Sequence, residues 1–192
     1  MSKLKNLIEK LGGDETFTKR IKNATEFNHV KDNVPLIEDA NMMSDILFLP
    51  EATPKGKAKK GPKYLFVIVD LATDEFDIEP MIELNSAAAL TAMKACFKRK
   101  YVKMPQFSLK TDGAAEFKGV FNKYLYDNDI LHKGVVASRH SSMSNVESLN
   151  KQLGRIFNMY MNAIEVKTGK RFTNWVEVID TVREDLNDLR RK

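Results

Sequence analysis

A mixed α/β sheet with helices packed on its faces is the fold class this sequence predicts, and three observations predict it. Three runs of strand length follow one another between residues 41 and 84. Helix-period and strand-length runs then alternate, and the chain closes on long runs with apolar residues three and four apart.

Residues 1–40 carry seven basic and seven acidic side chains, with Leu4, Leu7, Ile8 and Leu11 at helical spacing and a break at Gly12 and Gly13. They read as a short helical arm, leaving 41–192 as the core domain. NMMSDILFLP is a compact apolar run stopped by Pro50, the pattern of a buried strand. Residues 50–63 hold five Lys, three Pro and two Gly and read as an exposed hairpin loop with solvated lysines. YLFVIVD is apolar at every position but its last, as a central strand covered on both sides must be. EFDIEPMIEL alternates Phe76 and Ile78 with Asp77 and Glu79, which predicts a half-exposed strand. Asn85 can cap a helix running to about Val102, and 93–110 contains six basic residues and no acidic one. QFSLKTDG predicts a fourth strand, GVFNKYLYDND a short helix and LHKGVVAS a fifth strand. From Ser144, Val146, Leu149, Leu153, Ile156, Phe157, Tyr160 and Ile164 recur at three and four, and a last helix is expected over about 174–190.

The 192 residues, 43% of them hydrophobic, suffice for one domain with a real core. Thirty-one Lys and Arg against twenty-six Asp and Glu leave a charge of +5, compatible with a polyanionic partner without requiring one. Cys96 is the only cysteine and His29, His132 and His140 the only histidines, so neither an internal disulfide nor a four-ligand zinc site is expected. No apolar stretch is long enough to cross a membrane, and the N-terminus lacks the apolar core of a secretion signal. An intracellular, unsecreted protein is expected.

Carboxylates at strand ends are the feature with chemical content, because clustered Asp and Glu hold hard divalent cations for phosphoryl chemistry. Asp45 lies inside the first apolar strand, where a charge is costly unless paired or bound to metal. Asp112 closes the fourth strand before Gly113, a position a turn would explain as well. Glu147 stands three residues after Ser144, so an S-x-x-E capping box accounts for it equally.

These residues carry a resemblance. L-K-T-D-G-A-A-E-F (109–117) resembles the strand and turn of retroviral-type integrases, and N-V-E-S-L-N-K-Q-L (145–153) is similar to their V-E-S-M-N-K-E-L and V-E-R-F-N runs. Asp112 and Glu147 are 35 positions apart, close to the separation usual in that family. S-D-I-L-F-L-P followed by K-Y-L-F-V-I-V-D-L-A-T looks like the first hairpin of Maverick/Polinton and virophage integrases. By this likeness the first aspartate of the D,D,E set is Asp45, and Asp70 is left as a turn or surface carboxylate. Two departures stand out. The loop before Glu147 reads S-S-M-S-N-V, where the family commonly has Pro, Gln and Gly, and the His/Cys zinc module that precedes many such cores is absent from this sequence.

The resemblance implies an RNase H-like fold and a DDE-type enzyme. It would trim an element's DNA end with water and then join the freed 3′ hydroxyl to target DNA. Asp45, Asp112 and Glu147 would be both catalytic residues and ligands of Mg²⁺ or Mn²⁺, two ions being expected. Lys151, four residues after Glu147 on the same helix face, would meet the DNA end, with Asn150 and His140 as further DNA contacts. Viral or transposon DNA ends, target DNA and a second copy of the chain are the implied partners, the copies pairing through about 86–102 and 174–190. Trp175, Val176, Val178 and Ile179 would supply the apolar contact unless they belong to the core. The implied location is the host nucleus or the virion. Two other readings use the same residues: a nuclease or junction resolvase that cuts without joining, and an inactive DNA-binding or assembly module.

Overall fold

A computed structural model describes Lys3, Asn6, Lys10 and residues 37–53, 60–134 and 143–190. Most of the expected helical arm, the tip of the lysine loop, the expected end of the fifth strand and His140 therefore lie outside the described residues.

Five strands form one sheet in the order β3-β2-β1-β4-β5: β1 is Asn41–Phe48, β2 Tyr64–Asp70, β3 Phe76–Met81, β4 Ser108–Thr111 and β5 Leu131–Gly134. The first three pair antiparallel as a meander, whereas β4 joins β1, and β5 joins β4, in parallel. Parallel neighbours need crossovers. Helix α1 (Ser86–Phe97) leads into β4, and helix α2 (Gly119–Asp127) leads into β5. Helix α3 (Ser144–Thr168) follows β5, and α4 (Ile179–Arg190) ends the described chain.

The continuous apolar character of β2 follows from burial on both faces. Phe66 and Ile68 join Met42, Ile46 and Leu109 beneath α1 and α2, packed on Met93, Phe117 and Phe121. Leu65, Val67 and Val69 join Met43 on the other face, beneath α3 and α4. Val146, Leu149, Leu153, Ile156 and Phe157 of α3 are each no more than 1% exposed, so the periodicity of this helix reports its buried stripe. At about 1.5–3 kcal/mol for each fully buried large side chain, that stripe is enough to fix the helix on the sheet. Gly169, in the left-handed region at φ 65°, stops it.

Three details differ from the expectation, and a fourth falls on one of two readings the sequence left open. Helix α1 ends at Phe97, short of Val102, and the last helix opens with a 3-10 turn over Trp175–Val178. Asp77 in β3 is fully buried, so this edge strand is not half-exposed. Trp175, Val178 and Ile179 lie in the core, with the Trp175 indole N–H donating to the Pro50 carbonyl at 2.8 Å. They serve the fold rather than a surface between copies. Among the described residues no helix is long and apolar enough to cross a membrane.

Candidate active site

Asp45 stands in the middle of β1, opposite Val67 of β2. The neighbouring Met43, two residues back, packs under α3, so strand alternation turns the Asp45 carboxylate towards that helix. There the Asn150 amide donates to its Oδ2 at 2.8 Å, and the Ile46 backbone N–H donates to its Oδ1 at 2.8 Å. Burial pushes the Asp45 carboxyl up to about 6, the charges of Asp112 and Glu147 push the same way, and the two hydrogen bonds oppose them. Asp45 of β1 thus feels the charge of two other expected residues, one at the end of β4 and one at the start of α3.

Asp112 follows β4 and is exposed. Its Oδ1 accepts the Ala114 N–H at 3.0 Å, so it makes the turn that the sequence allowed. Gly113 takes φ 74°, a left-handed conformation that a residue with a Cβ adopts only at a cost. The turn leaves the second carboxylate oxygen available. Glu147, half-buried in the first turn of α3, is released from its structural explanation: Met143 is the N-cap, no side chain caps the helix, and the Ser144 hydroxyl donates to Asn145 at 3.4 Å instead. The capping box does not form.

Asp70 is a turn carboxylate, but it is not on the surface. It is 1% exposed, and it accepts from Asp39 N–H, Ala72 N–H and the Thr73 hydroxyl at 3.2, 3.2 and 2.9 Å. Its oxygens are occupied in closing the β2–β3 turn.

Along α3 an open groove of ≈ 590 Å³ runs beside Asp45, with Glu147, Lys151, Gly154 and Arg155 on its wall. Lys151 is exposed and has no acidic partner among the described residues, Glu147 included. A Cβ at Gly154 would meet nothing within 4 Å, so that stretch of the groove is open space. Asn150 also lines this groove; it is 9% exposed and its amide donates to Asp45, which makes it a positioning residue for that carboxylate.

Two groove residues and one histidine were missed. Arg155 and Asn158 line the groove with Lys151 and lie four and seven residues beyond it, a helical spacing legible in the sequence. His132, given no role by the sequence, links elements around the Asp112 turn. Its Nε2 meets the Thr111 hydroxyl at 2.9 Å and its Nδ1 the Asn122 carbonyl oxygen at 2.7 Å, while Thr111 also accepts the Gly113 N–H at 3.3 Å. Burial lowers the His132 pKa, favouring the neutral ring whose Nε2 can accept the Thr111 hydroxyl's hydrogen bond.

Carboxylate oxygens are the donors that hard divalent cations select, and the negative charge that Asp112 and Glu147 place on Asp45 is what such a cation would relieve. The donor chemistry therefore fits Mg²⁺ or Mn²⁺. Among the described residues no group of three or more His, Cys, Asp and Glu is drawn together tightly enough to hold a metal ion, so the three carboxylates interact by charge without closing on one point.

No protein-family model and no curated protein matches the sequence. Solved structures do match the fold. One is the simian T-cell lymphotropic virus intasome in complex with the PP2A regulatory subunit B56 gamma, at TM-score 0.54 and 18% identity over 73% of this chain. The match spans 54% of that intasome chain, about half its length. Another is the HTLV-2 integrase catalytic core domain in complex with magnesium, in its dimeric form, at TM-score 0.50 and 17% identity over 79% of this chain and 98% of that one. The fold is RNase H-like, as retroviral integrase cores are.

Proposed function

We propose that this chain is the catalytic core of a DNA integrase that uses divalent metal to process the 3′ ends of viral or transposon DNA and transfer them into target DNA. The observation that carries the reading is Asp45: a half-buried carboxylate with no cationic partner among the described residues, raised by burial and by Asp112 and Glu147. Structural ion pairs neutralise buried carboxylates, and this one is left facing two more. The magnesium complex of the HTLV-2 core and the intasome assembly of its simian relative support the same reading for a chain that shares their fold.

In this reading Asp45, Asp112 and Glu147 hold the metal, with two ions the expected number. Bound there, Mg²⁺ or Mn²⁺ would supply positive charge to the attacking and leaving oxygens of an in-line displacement at phosphorus. The chain's own residues bring the DNA to that point. Lys151 and Arg155 attract phosphates along the α3 groove, Gly154 leaves room for a strand to approach, and Asn150 fixes the Asp45 rotamer. No side chain need act as nucleophile, since water and a DNA 3′ hydroxyl fill that role. His140, in the segment before α3, is a further proposed DNA contact. Joining two ends calls for a second copy of the chain, and the host nucleus or the virion is its proposed location.

A joining assay tests the reading: a pool of duplexes with randomised recessed 3′ ends, a supercoiled plasmid and Mn²⁺. Joined product is expected from the wild-type chain. Asp45→Asn and Glu147→Gln should lower it by roughly a thousandfold, since several kcal/mol of transition-state stabilisation goes with the metal. Plasmid cutting without joining would instead identify a nuclease or resolvase. DNA binding with neither would identify an assembly module.

A further inference from the structure

Lys110 of β4 and Lys133 of β5 are register partners in the parallel pair. On its other side Lys110 pairs with Met43, whose side chain packs under α3, so both lysines stand on the sheet face that carries Asp45. The intervening Leu109 confirms the alternation by lying in the opposite core. Helix α3 lies over β1 and β2 on this face, and beyond it Lys110 is half-buried and Lys133 exposed. Neither lysine has an acidic partner among the described residues, where the ion pairs fall on Lys3, Lys123, Arg99, Arg183 and Arg190.

Like charges set directly opposite each other in a sheet lower its stability. Here the pair joins β4, two residues before Asp112, to the edge strand β5, and an anion bound between the two ammonium groups would account for it. Strands about 4.8 Å apart bring two such ammonium groups within reach of the oxygens of one phosphodiester. The need is sharpened by the neighbours, since Asp45, Asp112 and Glu147 repel a polyanion at the place where its backbone must come.

We propose that Lys110 and Lys133 together form a phosphate seat for the DNA strand being processed, on the opposite side of the carboxylates from the α3 groove. The seat rests on the reading of the chain as a DNA-processing enzyme and adds a second, independent anchor to it. One strand is then held on both flanks of the reacting bond, by Lys151 and Arg155 on α3 and by the lysine pair on β4 and β5. Stability is given up locally so that the substrate supplies the missing negative charge.

Fluorescence anisotropy with a labelled mixed-sequence DNA duplex, run over a salt series on Lys110→Gln, Lys133→Gln and the double variant, tests the seat. Each single substitution should weaken binding roughly threefold and reduce the log–log salt slope by about 1. Thermal unfolding of the same variants should show the midpoint unchanged or raised, because a repulsion has been removed. Wild-type affinity and slope in the double variant would overturn the seat while leaving the enzyme reading intact. Weakened binding accompanied by a lowered midpoint would also overturn it, because the lysines would then be serving the fold. A wild-type chain that neither binds the duplex nor joins DNA would overturn both.

Discussion

Asp45 and Asp77 sit on strands of the same sheet, both taken out of bulk water, and their surroundings are opposite. Asp77 on β3 is fully buried and doubly paired: the Arg99 Nε lies 2.9 Å from each of its oxygens, and the Arg183 Nε lies 2.8 Å from Oδ1. The arginines come from opposite layers of the fold and also donate to the Ile78 carbonyl, at 3.1 and 3.0 Å, so they clasp the edge strand between them. Asp45 has an amide, one backbone N–H and two carboxylates for neighbours. A buried acid whose charge is answered within the chain holds the fold. One whose charge is left unanswered is available to a ligand.

The same substitution at the two positions breaks the comparison most sharply. Asp77→Asn removes the buried charge that Arg99 and Arg183 share, leaving them only the more exposed Glu79 and Asp180, and should destabilise the chain by about 3 kcal/mol, seen as a lowered urea midpoint with an unchanged slope. Asp45→Asn should act with the opposite sign and a smaller size. The folded Asp45 carboxyl keeps its proton up to about pH 6, whereas the unfolded one gives it up in the ordinary carboxyl range. Folding therefore takes up a proton, and wild-type stability falls as pH climbs through that interval and levels off above it. Asp45→Asn removes this loss. At neutral pH the variant should be more stable than wild type by about 1–2 kcal/mol, allowing for the partial exposure of the site, and the two should converge in acid. Urea titrations at two pH values would show whether the two aspartates part in this way.

The order of strands and helices along the chain was legible because apolar periodicity reports burial directly: YLFVIVD is covered on both faces, and the stripe on α3 is the face that packs. Asp45 was legible for the same reason, as a charge where the pattern asks for an apolar residue. What local pattern does not carry is the partner of a polar group. Asp77 looked solvent-facing because Arg99 lies 22 positions away and Arg183 farther still, on α4. Asn150 looked available to DNA because its partner, Asp45, is 105 positions distant. His132 likewise meets Thr111 across 21 positions. Lys110 and Lys133 are ordinary surface lysines in the sequence, and only the strand register sets them side by side.

The most direct test of a metal centre for phosphoryl transfer is the anomalous density of Mn²⁺ soaked into crystals of this chain. Density between Asp45 and Asp112, with Glu147 drawn towards it, is the predicted result. Density at Asp70, or none at saturating Mn²⁺ with the three carboxylates still apart, would contradict the account.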